Sequence, residues 1–251
     1  MDVAYRTDIG RQRDNNEDYV QIYRNQQKVT FAVVADGMGG HLGGDIASDM
    51  VVTHFGEAFE KTDSADIHTI AHWAKRLLTL ENKRVIQASQ KKVELTNMGT
   101  TLVGAFVFPT KLLVVNVGDS RCYLYRHSQL RQLSFDHSLV NELLISGAIT
   151  AQEAKHHPNK NIITQSLGVS EGVSPTFGFF DLQTQDQILL CSDGLTNMVD
   201  DDQIAQVLAE SQTSEKKCDQ LITAANAAGG QDNITVLLID LQADREDSAH
   251  D

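Results

Sequence analysis

The chain has 251 residues, 41% of them hydrophobic, which is enough to bury a sizeable core in one large domain or two small ones. Its 34 Asp and Glu against 21 Lys and Arg give a formal net charge of -13, a balance that repels phosphate backbones and anionic lipid and so argues against nucleic-acid binding or membrane insertion. Cys122, Cys191 and Cys218 lie in apolar stretches without zinc-like spacing and read as reduced core thiols of a cytoplasmic protein.

The opening Met-Asp-Val-Ala-Tyr-Arg is too polar for a signal peptide, and no apolar run approaches the ~18 residues of a membrane span. No Pro-, Gly- or Ser-rich linker interrupts residues 1–242, which are expected to form a single domain. The polar tail 243–251 is expected to be disordered.

A polar stretch holding Arg13, Glu17 and Asp18 precedes the first strong apolar run, Val29 to Ala35, which reads as a buried strand and stops at Asp36-Gly37. The glycines from Gly37 to Gly44 lack the Lys-Ser or Lys-Thr ending of a nucleotide-binding loop. Helical spacing of apolar residues follows over 45–60 and again from 65 to about 94. His68 and His72 stand one turn apart there but have no acidic partner, so a solvated face is expected, while Trp73 falls in the apolar stripe.

Strands are expected at 101–108, 112–117 and 122–125, and turn signals such as Pro109-Thr110-Lys111 favour antiparallel hairpins. Residues 136–168 carry two short helical stretches and few apolar residues that could reach the core, so this segment reads as an excursion governing access to a cleft. A strand at 187–191, helices at 202–210 and 214–228, and a strand at 234–241 complete the chain. Asp200-Asp201-Asp202 is expected to cap the helix that follows it. Strand runs alternating with helix pairs predict layered α+β packing.

The acids fall in a pattern. Glu17-Asp18, Asp36-Gly37, Gly118-Asp119, Ser192-Asp193-Gly194 and Asp232-Asn233 all border strand-like runs. One Asp beside a Gly after a strand is ordinary turn chemistry, but five such places let carboxylates from distant segments meet at one end of a sheet. Converging carboxylates repel one another unless cations sit between them, and oxygen-only donors suit Mg²⁺ or Mn²⁺ better than zinc. Two such ions about 3.5–4 Å apart can activate a water and neutralise a phosphoryl group.

The ordered set Arg13-x-x-Asn16-Glu17-Asp18, Asp36-Gly37-Met38-Gly39-Gly40-His41, Gly99-Thr100-Thr101, Val117-Gly118-Asp119-Ser120-Arg121, Ser192-Asp193-Gly194-Leu195 and Gly230-x-Asp232-Asn233-Ile234-Thr235 resembles the metal-dependent protein phosphatases of the 2C type. The match is best to the small bacterial form and spans nearly the whole chain.

The resemblance implies a central antiparallel β-sandwich flanked by pairs of α-helices, with a flap of about residues 136–176 beside the cleft. It implies a phosphoserine/phosphothreonine phosphatase with two tightly held Mn²⁺ or Mg²⁺ ions. Asp36 would bridge them, with the Gly37 carbonyl and Glu17 on one side and Asp193 and Asp232 on the other. Asp119, with Asp193, would serve a weaker third ion, and Asp18 and Asn233 would support the ligands. Arg13 would grip phosphate oxygens through its planar fork. Met38 stands where eukaryotic members carry the histidine proposed as general acid, so His41, ending the same loop, is the candidate for that part. On the flap, His157 is the candidate for substrate contact, alongside His137 and His156. Partners implied are phosphorylated proteins and an opposing bacterial Ser/Thr kinase. The competing reading is the same chemistry on a small phosphorylated metabolite or a nucleotide.

Overall fold

The computed structural model describes residues 1–39, 43–155 and 157–241. In chain order its strands are β1 (Asp2–Asp8), β2 (Asp18–Arg24), β3 (Thr30–Met38), β4 (Gly99–Thr100), β5 (Leu102–Val107), β6 (Lys111–Val117), β7 (Arg121–Arg126), β8 (Gln129–Gln132), β9 (Thr176–Asp181), β10 (Gln187–Cys191) and β11 (Ile234–Asp240). The helices are α1 (Gly44–Glu60), α2 (Ile67–Ser89), α3 (Leu139–Ile145), α4 (Ala151–Lys155), α5 (Asp193–Thr196), α6 (Asp201–Ala209) and α7 (Ser214–Ala227).

The strands form two antiparallel sheets, ordered β1-β11-β10-β7-β8 and β2-β3-β5-β6-β9, with β4 pairing the end of β3. Strand β3 shows why its run is apolar throughout. Phe31, Val33 and Ala35 face α1 and α2, whereas Ala32 and Val34 face the other sheet, so both sides of the strand are buried. A second helical layer, α6 and α7, packs Ile204, Leu208, Cys218 and Leu221 onto the first sheet. The result is the α-β-β-α sandwich. Aromatic packing fixes the outer layer, with the rings of Phe31 and Phe106 stacked at 4.3 Å and Trp73 edge-on to Phe55 at 5.1 Å.

Three differences from the sequence reading bear on the site. Helix α2 stops at Ser89 rather than near 94, because residues 93–95 tighten into a 3₁₀ turn that turns the chain into β4. Strands β1 and β2 are half polar, β1 with one face toward solvent and β2 with Tyr19 and Tyr23 only partly buried against the helix-side core, and their weak patterns hide them in the sequence. The flap is less detached than expected. Its return segment bridges Thr100 to Leu167, a fully buried core residue, and Ser138 pairs with Ile163 across its base.

Asp200 accepts from the Gln203 amide while the Gln203 side chain accepts from the Asp200 amide, forming the capping box expected there. All three cysteines are buried free thiols. Among the described residues, no helix is long and apolar enough to cross a membrane. The tail 243–251 lies outside the described residues.

Candidate metal centre

Strand pairing builds the centre. The antiparallel register of β2 and β3 sets Asp18 opposite Asp36, and the Gly37 amide donates to the Glu17 carbonyl at 3.0 Å. Gly37 is required by close approach, since a Cβ there would stand 2.1 Å from the Gly44 carbonyl oxygen. Helix α1 begins directly beside Glu17, so near that a Cβ on Gly44 would meet the Glu17 carboxylate at 2.3 Å. The positive end of α1 thus faces an acid.

Asp36 is held from its backbone. Its amide donates to the Thr101 hydroxyl at 2.9 Å, and its carbonyl accepts from the Thr101 amide at 2.9 Å and the Thr100 hydroxyl at 3.0 Å. On the opposing sheet, the Ser192 hydroxyl donates to Asp18 at 2.7 Å and Asn197 donates to Asp193 at 2.9 Å. Asn233 fastens the polar N-terminal loop, accepting from the Glu17 amide at 2.8 Å and donating to the carbonyls of Ile9 and Asn15 at 2.9 Å each. The Arg13 guanidinium meets Asp232 at 2.7 Å, with the arginine side chain half exposed.

The electrostatics are those of a crowd of like charges. Burial, then Asp18, Asp193, Asp119 and Asp232, push the Asp36 carboxyl well above the usual carboxylate range. Burial lifts Asp18 to about 7 against the hydrogen bond from Ser192, and burial with Asp193 lifts Asp119 to about 8. Asp193 is raised by burial and Asp232, and Glu17 by burial and Asp45.

One oxygen each of Asp18, Asp119 and Asp193 is buried without a hydrogen-bond partner. Orphaned buried carboxylate oxygens are costly unless something electropositive answers them, and no His or Cys is among these groups. The donor set fits hard divalent cations. Among the described residues, no three of the acids already close into a coordination shell. Ions of this kind retain several waters and need few protein donors each.

Residues 10–231 match the family model described as protein phosphatase 2C. The chain belongs to that family. Among curated relatives, the serine/threonine phosphatase stp of Listeria monocytogenes is 43% identical over 241 residues, 96% of each chain. Protein phosphatase PhpP of Streptococcus pneumoniae is 42% identical, covering 96% of this chain and 98% of that protein. The serine/threonine phosphatase structure from S. agalactiae superposes with a TM-score of 0.91 at 40% identity, covering 94% of this chain and 98% of that one. Family membership makes this chain a phosphoprotein phosphatase that requires metal.

The family motifs thus divide into groups that enter the cluster and groups that shape it. Asp18, Asp119, Asp193 and Asp232 all act electrostatically on Asp36, and Glu17 joins the group through Asp232. Arg121 turns away, bonding Asp136 at 2.7 Å and the Tyr123 hydroxyl at 3.0 Å. His137 is buried rather than exposed, and its Nδ1 accepts from the Gly118 amide at 3.1 Å while its own amide donates to the Gly118 carbonyl at 2.9 Å. It therefore clasps the turn that presents Asp119. His157 accepts from the Asn159 amide at 3.2 Å, a local turn contact. His41 and His156 lie outside the described residues. His68 is exposed and packs its ring 5.2 Å from that of Phe179.

Sequence reasoning did not assign Thr100, Thr101, Ser192 or Asn197 a task. Thr100 and Thr101 sit in the Gly99-Thr100-Thr101 motif and Ser192 in the Ser192-Asp193-Gly194-Leu195 motif, whereas Asn197 lies outside the family motifs.

Proposed function

We propose that the chain hydrolyses phosphoserine and phosphothreonine in proteins at a pair of Mn²⁺ or Mg²⁺ ions held by Asp36, Glu17, the Gly37 carbonyl, Asp193 and Asp232. Asp36 would be shared by both ions, and Asp119 with Asp193 would hold a weaker third. The observation that carries this reading is the group of mutually repelling, buried carboxylates with unanswered oxygens. Bound ions of this kind lower the pKa of a coordinated water and neutralise charge on the phosphoryl group.

The chain's own residues do the rest. Thr101 and Thr100 fix the Asp36 backbone, Asn233 fixes Glu17, and Ser192 takes one oxygen of Asp18 while the other is buried without a hydrogen-bond partner. Asp232 steers the Arg13 fork to the edge of the cluster, where two of its N–H groups can engage a phosphate. His41 is the proposed proton donor to the leaving alkoxide. We place the enzyme in the cytoplasm, opposing a bacterial Ser/Thr kinase, with neither nucleic acid nor membrane insertion in its function.

Assay of purified protein with Mn²⁺ on a phosphothreonine peptide, p-nitrophenyl phosphate and a free nucleotide tests the substrate class. The peptide is expected to give the highest kcat/KM, and a preference for the nucleotide contradicts the reading.

Arg13→Lys keeps the charge and loses the fork. A charge-assisted contact is worth about 1.5–3 kcal/mol, so kcat/KM is expected to fall roughly tenfold or more on peptide and aryl phosphate alike. His157→Ala is expected to alter the ranking of phosphopeptides and spare p-nitrophenyl phosphate. Equal kinetics for Arg13→Lys and the parent protein would remove Arg13 from phosphate capture.

A further inference from the structure

Charge is unevenly distributed over this acidic chain. Residues 67–92 contain six of the 21 Lys and Arg but only one of the 34 acids, Glu81. That segment carries a net charge of +5, and the other 225 residues, with 15 basic side chains against 33 acids, carry -18. Helix α2 supplies most of the segment. Its inward face is Ile70, Ala74, Leu77, Leu78, Glu81, Asn82 and Val85.

The outward face bears His68, His72, Lys75, Arg76 and Lys83, all exposed and three, four or seven residues apart, with Lys91 and Lys92 just beyond the helix. Arg84 is bound to Glu81, whose carboxylate is fully buried and also meets His54 at 3.3 Å. Among the described residues, none of Lys75, Arg76, Lys83, Lys91 and Lys92 has an ion-pair partner. In a molecule with such an excess of carboxylates, an unneutralised stripe of cations along a helix about 35 Å long is a field with a definite direction.

We propose that the outer face of α2 is a docking surface for an acidic polypeptide segment of a protein partner. Three observations favour this occupant. The apolar side of α2 is already committed to the core, and Leu80, 53% exposed, is the one exposed large aliphatic side chain of the helix, so α2 has no apolar face left to enter a bilayer. A nucleic acid would bring dense phosphate charge against the surrounding -18, whereas a short acidic segment can lie along α2 alone.

The position also suits a protein that is presented to the catalytic cleft. Asn82 donates to the carbonyls of Ser170 at 2.8 Å and Glu171 at 3.3 Å and accepts from the Gly168 amide at 2.7 Å, so α2 holds the return segment of the flap. A partner on α2 lies beside the flap without touching any of the metal-site acids. The inference does not need the metal reading to be correct, because it concerns binding of unphosphorylated acid.

The test compares the protein with its Lys75→Glu/Arg76→Glu/Lys83→Glu and Lys75→Gln/Arg76→Gln/Lys83→Gln variants. Binding of a fluorescent, unphosphorylated glutamate-rich peptide is read by anisotropy at low and high salt, and hydrolysis of p-nitrophenyl phosphate with Mn²⁺ checks that each variant is folded. Peptide binding is expected to weaken with salt, to fall roughly tenfold in the Gln variant, where three surface charge contacts are lost, and further in the Glu variant. Aryl phosphate turnover is expected to be unchanged. Equal peptide binding by all three proteins overturns the proposal. So does binding of phosphatidylglycerol vesicles or duplex DNA, but not peptide, through the same residues, and so does a salt-sensitive dimer in sedimentation that the variants abolish without any peptide binding.

Discussion

Asp36→Asn is expected to reduce turnover of a phosphothreonine peptide by roughly 10³-fold or more, as when the source of a metal-activated nucleophile is lost, and at the same time to stabilise the metal-free protein. The two effects share one cause. Asp36 stands among Asp18, Asp193, Asp119 and Asp232, and burial with their charges raises its pKa well above the ordinary value. A carboxyl whose folded pKa is raised contributes stability that is fully present below its unfolded pKa and is lost as pH rises through the folded one. At neutral pH and above, the metal-free parent therefore pays for ionising or protonating this group, and the amide removes the charge at nearly constant shape.

Each kcal/mol recovered should raise Tm by roughly 2–4 °C in a chain of this size. Thermal melts in EDTA, with circular dichroism to confirm the fold, read the stability, and the peptide assay reads the activity. A variant that is less stable than the parent without metal would show that Asp36 is held by favourable contacts and not strained by its neighbours.

Mn²⁺ is expected to raise Tm, and by more at pH 8.5 than at pH 6. Protons and cations compete for the same oxygens. Asp18 at about 7 and Asp119 at about 8 are largely protonated at pH 6 and offer fewer charges to an ion. Raising the pH removes the intrinsic stability that these raised pKa values confer, so the metal-free Tm falls relative to that of a chain without the cluster. The same deprotonation strengthens cation binding, which adds about 2.7 kcal/mol per site when free metal is a hundredfold above Kd. The gap between the melts with and without Mn²⁺ should therefore widen steadily with pH. A gap that is constant or narrows would mean that the buried acids are not the groups the ion meets.

The fold was legible where one strand face or helix stripe was unambiguous. The doubly buried run ending at Asp36 and the helices at 44–60 and 214–227 could be read to within a residue or two. Strands β1 and β9 were not, because edge strands with a wet face alternate polar and apolar residues too weakly to stand out. Sequence could likewise place acids at strand ends but not their supports. The bond from Ser192 to Asp18 spans 174 positions, and that from Glu17 to Asn233 spans 216. Neither residue pair carries a local pattern. His137 illustrates the same limit, since a histidine in a polar segment gave no sign that it would be buried against Gly118.

The central claim is that the buried acids exist to hold divalent cations for phosphoester hydrolysis, and turnover of a phosphothreonine peptide by metal-stripped protein tests it most directly. The protein is dialysed against EDTA, assayed, and then titrated with Mn²⁺ while ion binding is followed by calorimetry. Turnover is expected to be absent after stripping and to return as at least two ions bind, with Mg²⁺ substituting at higher concentration. Full turnover by protein shown to be free of metal, or its return with no more than one ion bound, would contradict the account.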